Sequence, residues 1–330
     1  MKKIISILVF LILLFISIDV SGEILTEKSL NRYYILEKEL EQKNEKYDVQ
    51  IYGSCHAYTS FNPMYLIENY DISTYNMANP SEIIPITYLR MKEQFETNKP
   101  KVALVEVWGI NVYETYISTD SILGDYLKNN LERLPLSLDK LEVISDFETV
   151  DILEENFPII RYKDRVLNLS LTEVDFNYSF ELLNQTYNIQ EEVPWLYNEM
   201  VNRFSHNGYK LLGSENHSDY PEKQPSINAD EIVNIEEVIL KYLDKIIKLC
   251  DEKNVELIFY RAPYISTENE LKKVNHLKAY LSEKRIPFID LEKAIKYDYD
   301  CDFNDYEHLS ESGAEKSTEF LCSYILNMID

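Results

Sequence analysis

The chain has 330 residues, with 33 Lys and Arg against 57 Asp and Glu, and a formal net charge of −24. Charge of that sign over most of the surface repels a phosphate backbone and argues against nucleic acid as a partner. With 45% hydrophobic and 27% charged residues, the composition argues equally against a disordered or multi-span membrane chain, and the length suits one large α/β domain with a sizeable insertion.

In chain order, Lys2 and Lys3 precede an apolar run from Ile4 to Ile18, after which come Asp19, Val20, Ser21 and Gly22. The run is at the upper end of a signal-peptide core and short of the roughly 20 residues usually needed to span a bilayer. Residues 1–22 therefore read as a signal anchor or a signal peptide. An anchor, as a single transmembrane helix, would keep the chain at the cell membrane, whereas cleavage near Gly22 would release a secreted protein. The anchor accords better with the polar stretch over residues 23–47, where Leu30, Tyr34, Leu36 and Leu40 recur at helical spacings and predict a stalk. In both cases the lysines stay in the cytoplasm and the rest of the chain is extracytoplasmic.

Residues 48–330 alternate strand and helix signals. Asp48 to Gly53 reads as a strand, Pro63 to Tyr70 as a helix, and Ser73 to Ala78 as a second strand. Ser81 is expected to cap a helix running to about Thr97 with Pro85 in its first turn, and Lys101 to Val107 is a third, central strand. From about residue 112 to 228 the rhythm lapses into sequence rich in Tyr, Asn and Glu, read as a mainly helical and loop insertion where specificity could reside. It resumes with a helix over Asp230 to Asn254, a strand over Val255 to Tyr260, and a helix opened by the capping box Thr267 and Glu270. Pro287 to Leu291 is a fifth strand, and a last helix is expected from Ser312, boxed with Glu315 and burying Phe320, Leu321, Tyr324, Ile325 and Met328. The pattern predicts a doubly wound five-stranded parallel sheet of flavodoxin-like order.

The four cysteines, Cys55, Cys250, Cys301 and Cys322, form no Cys-x-x-Cys pair and no zinc-type spacing with histidine, so no metal is expected. Pairing of Cys301 with Cys322, or of Cys55 with Cys301, stays open for an exported chain.

In open parallel sheets, chemistry gathers at the carboxyl ends of strands. Three segments fall there: Gly53, Ser54, Cys55 and His56 after the first strand; Trp108, Gly109, Ile110 and Asn111 after the third; and Asp305, Tyr306, Glu307 and His308 after the fifth. Asp305 and His308, three apart, have the spacing by which a carboxylate orients an imidazole toward a nucleophile. Gly53, Gly109 and Gly313 lie in or beside these segments although the chain has only 7 glycines.

The order Gly-x-nucleophile, Gly-x-Asn and Asp-x-x-His resembles the SGNH (GDSL-type) hydrolase superfamily. Gly53-Ser54-Cys55-His56-Ala57 followed by Phe61-Asn62-Pro63, close to a membrane-directed start, is similar to its extracytoplasmic acyl-transfer branch, which includes the teichoic-acid D-alanine transfer protein and the alginate and peptidoglycan O-acetylation proteins. The resemblance implies a nucleophile at Cys55, where the family normally has serine, with His308 as base and Asp305 as its orienting carboxylate. It further implies Asn111, after Gly109, as an oxyanion donor beside the Cys55 backbone N–H. The family's second-block glycine has no clear counterpart, Ala78 and Asn79 being nearest, and Ser54 is an alternative nucleophile one residue off register. A thiolate would give a thioester intermediate and needs neither metal nor organic cofactor. The activity implied is that of an acyltransferase or esterase of the cell envelope, acting on a glycan or glycolipid. A multi-span membrane O-acyltransferase would be a possible acyl donor.

Two other readings stand beside it: a non-catalytic accessory protein with Cys55 as a buried or disulfide-bonded residue, and a secreted carbohydrate esterase. The side chain of His56 is expected to point away from Cys55 in a structural role, Trp108 to be core or pocket wall, and Arg261 to form an ion pair at the sheet rim or bind an anionic substrate.

Overall fold

In the computed structural model, the five apolar runs form five strands. The residues described are 2–27, 40, 45–111, 127, 130–131, 134–147, 198, 201–203, 205–213 and 225–329. In chain order the elements are α1 (Lys2–Glu27), β1 (Val49–Tyr52), α2 (Cys55–Ser60), α3 (Pro63–Tyr70), β2 (Thr74–Asn76), α4 (Ile84–Thr97) and β3 (Val102–Glu106). There follow α5 (Leu138–Ser145), α6 (Glu237–Lys253), β4 (Glu256–Arg261), α7 (Glu268–Glu283), β5 (Phe288–Asp290), α8 (Leu291–Ala294) and α9 (Glu311–Ile329). The chain divides into two compact units, one of Met1–Asn44 with Lys128–Tyr197, the other of Glu45–Leu127 with Asn198–Asp330.

The second unit holds the whole sheet, all parallel, in the order β2-β1-β3-β4-β5. β1 and β3 are buried throughout, as strands covered on both faces must be. On one face Val49, Ile51, Val102, Leu104 and Ile258 pack with Phe61, Leu66, Leu321 and Ile325 from the α2–α3 region and α9. α4 and α6 bring their own apolar stripes together, with the rings of Tyr88 and Tyr242 5.9 Å apart. The doubly wound sheet of flavodoxin-like order is thus the architecture found.

Several boundaries differ from expectation for local reasons. α2 was not anticipated: Ser54 caps it, accepting a hydrogen bond from the His56 backbone N–H. Ser81 does not cap α4, because it takes a left-handed conformation at φ 51° and the helix starts at Ile84 with Pro85 in its first turn. α6 begins at Glu237 rather than Asp230. The capping box of Thr267 and Glu270 is present in full. That of Ser312 and Glu315 is not the start of α9, which begins at Glu311, and Ser312 instead donates to the Asp302 carboxylate. α9 buries Leu321 and Ile325 but leaves Tyr324 exposed.

Much of the expected insertion and stalk lies outside the described residues. Its last part does not: Asn207 covers the open edge of β2, its carbonyl accepting from Asn76 N–H at 2.9 Å and its amide donating to the Thr74 carbonyl at 3.2 Å.

In the first unit, α1 is apolar on all sides, with side chains from Ile4 to Ile16 exposed and Ser6 and Ser17 bonded back to carbonyls one turn earlier. The apolar stretch stops at Asp19, and among the described residues no helix is long and apolar enough to cross a membrane. α5 in the same unit is capped by Ser137, which accepts from the Lys140 N–H.

Candidate active site

Strand order reverses between β1 and β3, one leading outward to β2 and the other to β4, so their carboxyl ends border the crevice where such sheets bind ligands. The chain leaves β1 through Gly53, at φ 130°, where an added Cβ would stand 2.8 Å from the Cβ of Glu106 on β3. Only glycine allows both that conformation and that approach. α2 starts at once, with Cys55 as its first residue, a position whose backbone N–H has no helical carbonyl to reach.

Behind Cys55 is a buried polar chain. Ser54 Oγ donates to Glu106 Oε2 at 2.9 Å and lies 3.1 Å from His56 Nδ1, while Glu106 Oε1 accepts from the Trp108 N–H at 2.8 Å. Burial pushes the Glu106 carboxyl up to about 7, against the hydrogen bonds from Trp108, Ser54 and Ala262.

Asp305 and His308 sit on a loop braced by the Phe303–Leu309 antiparallel bridge and by the Asn304 N–H donating to the His308 carbonyl at 2.9 Å. The buried Asp302 supports its base, its carboxylate accepting from the Asp298 N–H at 2.7 Å and its carbonyl from the Ser310 N–H at 2.9 Å. Asp305 Oδ1 accepts the N–H groups of Glu307 and His308 at 2.8 and 2.9 Å, an Asx-type turn that fixes the three-residue spacing. Both Asp305 oxygens lie 2.9 Å from His308 Nδ1. Burial opposes ionisation of Asp305, but His308 and these N–H groups outweigh it and hold the carboxyl below its ordinary range. Burial also disfavours the His308 cation. Hydrogen bonds to Asp305 and to the Cys55 thiol, and the charges of both, nonetheless push it up to about 10. Cys55 is thus brought beside a His308–Asp305 pair some 250 positions further along the chain.

The other expected site residues have different surroundings. Asn111 Nδ2 donates to the Tyr264 hydroxyl at 2.7 Å, committing one of its two amide hydrogens, while its Oδ1 is buried without a partner. Gly109 packs against the start of α4, where a Cβ would be 2.9 Å from Ile83 Cα. The backbone N–H of Ala78 is taken by Asn76 Oδ1 at 3.2 Å and that of Asn79 by the Gly53 carbonyl at 3.1 Å, so neither is offered to a substrate. Ser54, with no exposed surface and its hydroxyl committed to Glu106, is poorly placed to attack anything. All four cysteines are free thiols, Cys301 exposed and the others buried.

The expectation for His56 is overturned. Its Nδ1 lies 3.8 Å from Cys55 Sγ, and its ring is sandwiched between Trp108 (centroids 5.1 Å, 24° between planes) and His308 (5.5 Å, 28°), with Tyr264 edge-on at 4.9 Å. Neighbours on a helix are about 100° apart rather than on opposite faces, so α2 turns both side chains toward the crevice. Burial, and then the charge of His308, hold the His56 imidazole well below its ordinary pKa, so it is neutral. Trp108, half-buried, is stacked on His56. Arg261 pairs with Asp290 at 2.9 Å, donates to Ser266 at 2.7 Å and stacks over Tyr264. Glu106 and Tyr264 were not singled out in the sequence. A lone carboxylate closing the apolar run Val102–Val105 was the available signal for the first.

The chain matches no protein-family model and no curated protein. Among solved structures, the "putative acylhydrolase" of Bacteroides fragilis NCTC 9343 aligns over 92% of this chain and 98% of its own, at 10% identity and a TM-score of 0.41. That likeness is too slight to carry an argument about chemistry.

Proposed function

We propose that the chain is an extracytoplasmic acyltransferase or esterase acting on acyl groups of a cell-envelope glycan or glycolipid, with Cys55 as nucleophile. The observation behind this reading is the His308 imidazole, held by both oxygens of Asp305 at 2.9 Å, stacked on His56 beside Cys55, and raised in pKa by Asp305 and by the Cys55 thiol. With Nδ1–H facing the carboxylate, Nε2 is the nitrogen left to serve Cys55.

In the first half-reaction Cys55 Sγ attacks the acyl carbonyl, and the displaced π pair forms an oxyanion that the Cys55 N–H and the remaining Asn111 amide hydrogen stabilise. The pair returns, the ester C–O bond breaks, and the leaving alkoxide takes the proton on His308 Nε2. The product is a thioester on Cys55. In the second half, a hydroxyl attacks the thioester and yields its proton to the now neutral His308, and the C–S pair returns to Sγ. Water as attacker gives hydrolysis; an alcohol gives transfer.

The same proposal assigns α1, apolar on every side, to holding the chain at the membrane, where a multi-span O-acyltransferase could supply the acyl group. Incubation of the purified chain with an activated ester, followed by peptide mass analysis, tests the chemistry. An acyl group on Cys55 that is absent from Cys55→Ala and His308→Ala supports it, and an unmodified Cys55 after prolonged incubation overturns it.

A second reading, a non-catalytic accessory protein on the same scaffold, is favoured by the backbone N–H groups of Ala78 and Asn79 both being spent inside the protein. It predicts glycan binding unaffected by loss of the Cys55 thiol.

A further inference from the structure

His56 is more than a packing residue. Ser54 has a single hydroxyl hydrogen, which goes to Glu106 Oε2 at 2.9 Å. With Glu106 ionised, above about pH 7, the 3.1 Å contact between Ser54 Oγ and His56 Nδ1 then requires the proton to be on Nδ1, leaving Nε2 a bare lone pair. That Nε2 is buried and has no hydrogen-bond partner. Asn111, whose amide donates to the hydroxyl of Tyr264, carries in its Oδ1 a second buried acceptor without a donor. Two orphaned acceptors on residues that both touch Tyr264, one of them beside Cys55, call for a ligand that donates hydrogen bonds.

We propose that Glu106, through Ser54, holds His56 as the Nδ1–H tautomer so that its Nε2 accepts a hydrogen bond from the attacker of the acyl-enzyme, given by the second hydrogen of a water or by a neighbouring hydroxyl of an attacking polyol, and not by the hydrogen that leaves. This rests on the thioester reading above. His56 then orients the attacker, while the proton goes to His308, whose ring is stacked on it at 5.5 Å. Burial, with the charges of His308 and Arg261, outweighs the opposing charge of Asp305 and holds the His56 imidazole well below its ordinary range, so it accepts a hydrogen bond without competing for the proton.

The test uses the full-length chain in detergent with p-nitrophenyl acetate as acyl donor. Acetyl-Cys55 is followed by intact mass while it is discharged into buffer alone or into buffer with glycerol. His56→Phe keeps an aromatic ring in the stack and removes both nitrogens; Ser54→Ala keeps His56 and removes the relay. Acetyl-Cys55 is expected to form in both variants and to survive about tenfold longer in His56→Phe, the equivalent of one hydrogen bond to the attacker. Slowing confined to the glycerol arm identifies an alcohol as the bound hydroxyl, and slowing confined to buffer identifies water. Nitrogen-15 histidine spectra at alkaline pH should show His56 Nε2 without a proton in the wild type and a mixture of tautomers in Ser54→Ala, whatever the fate of the Phe variant. Discharge at wild-type rates in both arms, or a proton on Nε2 in the wild type, overturns this proposal alone. Failure of the wild type to form acetyl-Cys55 removes the thioester reading and this one with it.

Discussion

The imidazole of His56 lies against that of His308, centroids 5.5 Å apart and planes 28° from parallel, so that a neutral ring shields one face of a ring whose pKa is raised to about 10. With its pKa raised to about 10, largely by Asp305 and Cys55, His308 stays an imidazolium through the neutral range and is available there to stabilise a Cys55 thiolate.

Cys55 should therefore be modified quickly by a small alkylating reagent below pH 8, and the rate should fall in His308→Ala. Site-resolved peptide mass across pH checks this. Equal rates in the two proteins would mean that the histidine does not activate the thiol.

Acyl transfer to Cys55 should drop by about 10²–10⁴-fold in His308→Ala, the usual range for loss of a positioned acid–base group. In Asp305→Asn, where the carboxylate charge is gone but the shape is kept, a smaller loss is expected, and the alkaline limit of activity should move down as the support for the cation is removed. Burst kinetics on an activated ester over a range of pH separate the two.

Glu106 should make the fold lose stability with rising pH. Its carboxyl is raised from 4.5 to about 7 by burial, so its contribution is complete below about 4.5 and is lost as pH rises through about 7. Replacement by Gln removes that dependence, and the wild-type-minus-variant difference in unfolding free energy should change by up to about 3 kcal/mol between pH 4.5 and 8. Urea unfolding at several pH values measures it. A flat difference would show that the group stays ionised.

Gly53→Ala should cost about 2 kcal/mol or more, since the new Cβ meets Glu106 Cβ at 2.8 Å from a backbone at φ 130°. Thermal unfolding together with Cys55 labelling should show lower stability and slower modification, because the residue that leads into α2 moves.

The elements were legible wherever one physical signal dominated. Continuous apolar runs such as Val102–Val105 announced strands buried on both faces, and Thr267 with Glu270 announced a helix start that the backbone N–H groups need. Caps failed where a serine had a better partner, as Ser312 does in the Asp302 carboxylate. In the site, the Asp305–His308 spacing was legible because an Asx turn is local. His56 was misread because facing was judged as if residues 55 and 56 alternated along a strand, whereas α2 begins at Cys55. The bond between Glu106 and Ser54, 52 positions apart, had no local signature at all.

The spent amides after β2 have a stereochemical consequence. With Ala78 and Asn79 N–H turned inward, the donors left among the described residues named for the oxyanion, the Cys55 N–H and one Asn111 amide hydrogen, lie at the ends of β1 and β3. An acyl carbonyl attacked by Cys55 would then turn its oxygen toward Asn111, exposing a single prochiral face to the sulfur. Handedness at the reacting carbon would then be dictated by two hydrogen bonds that never touch the substrate.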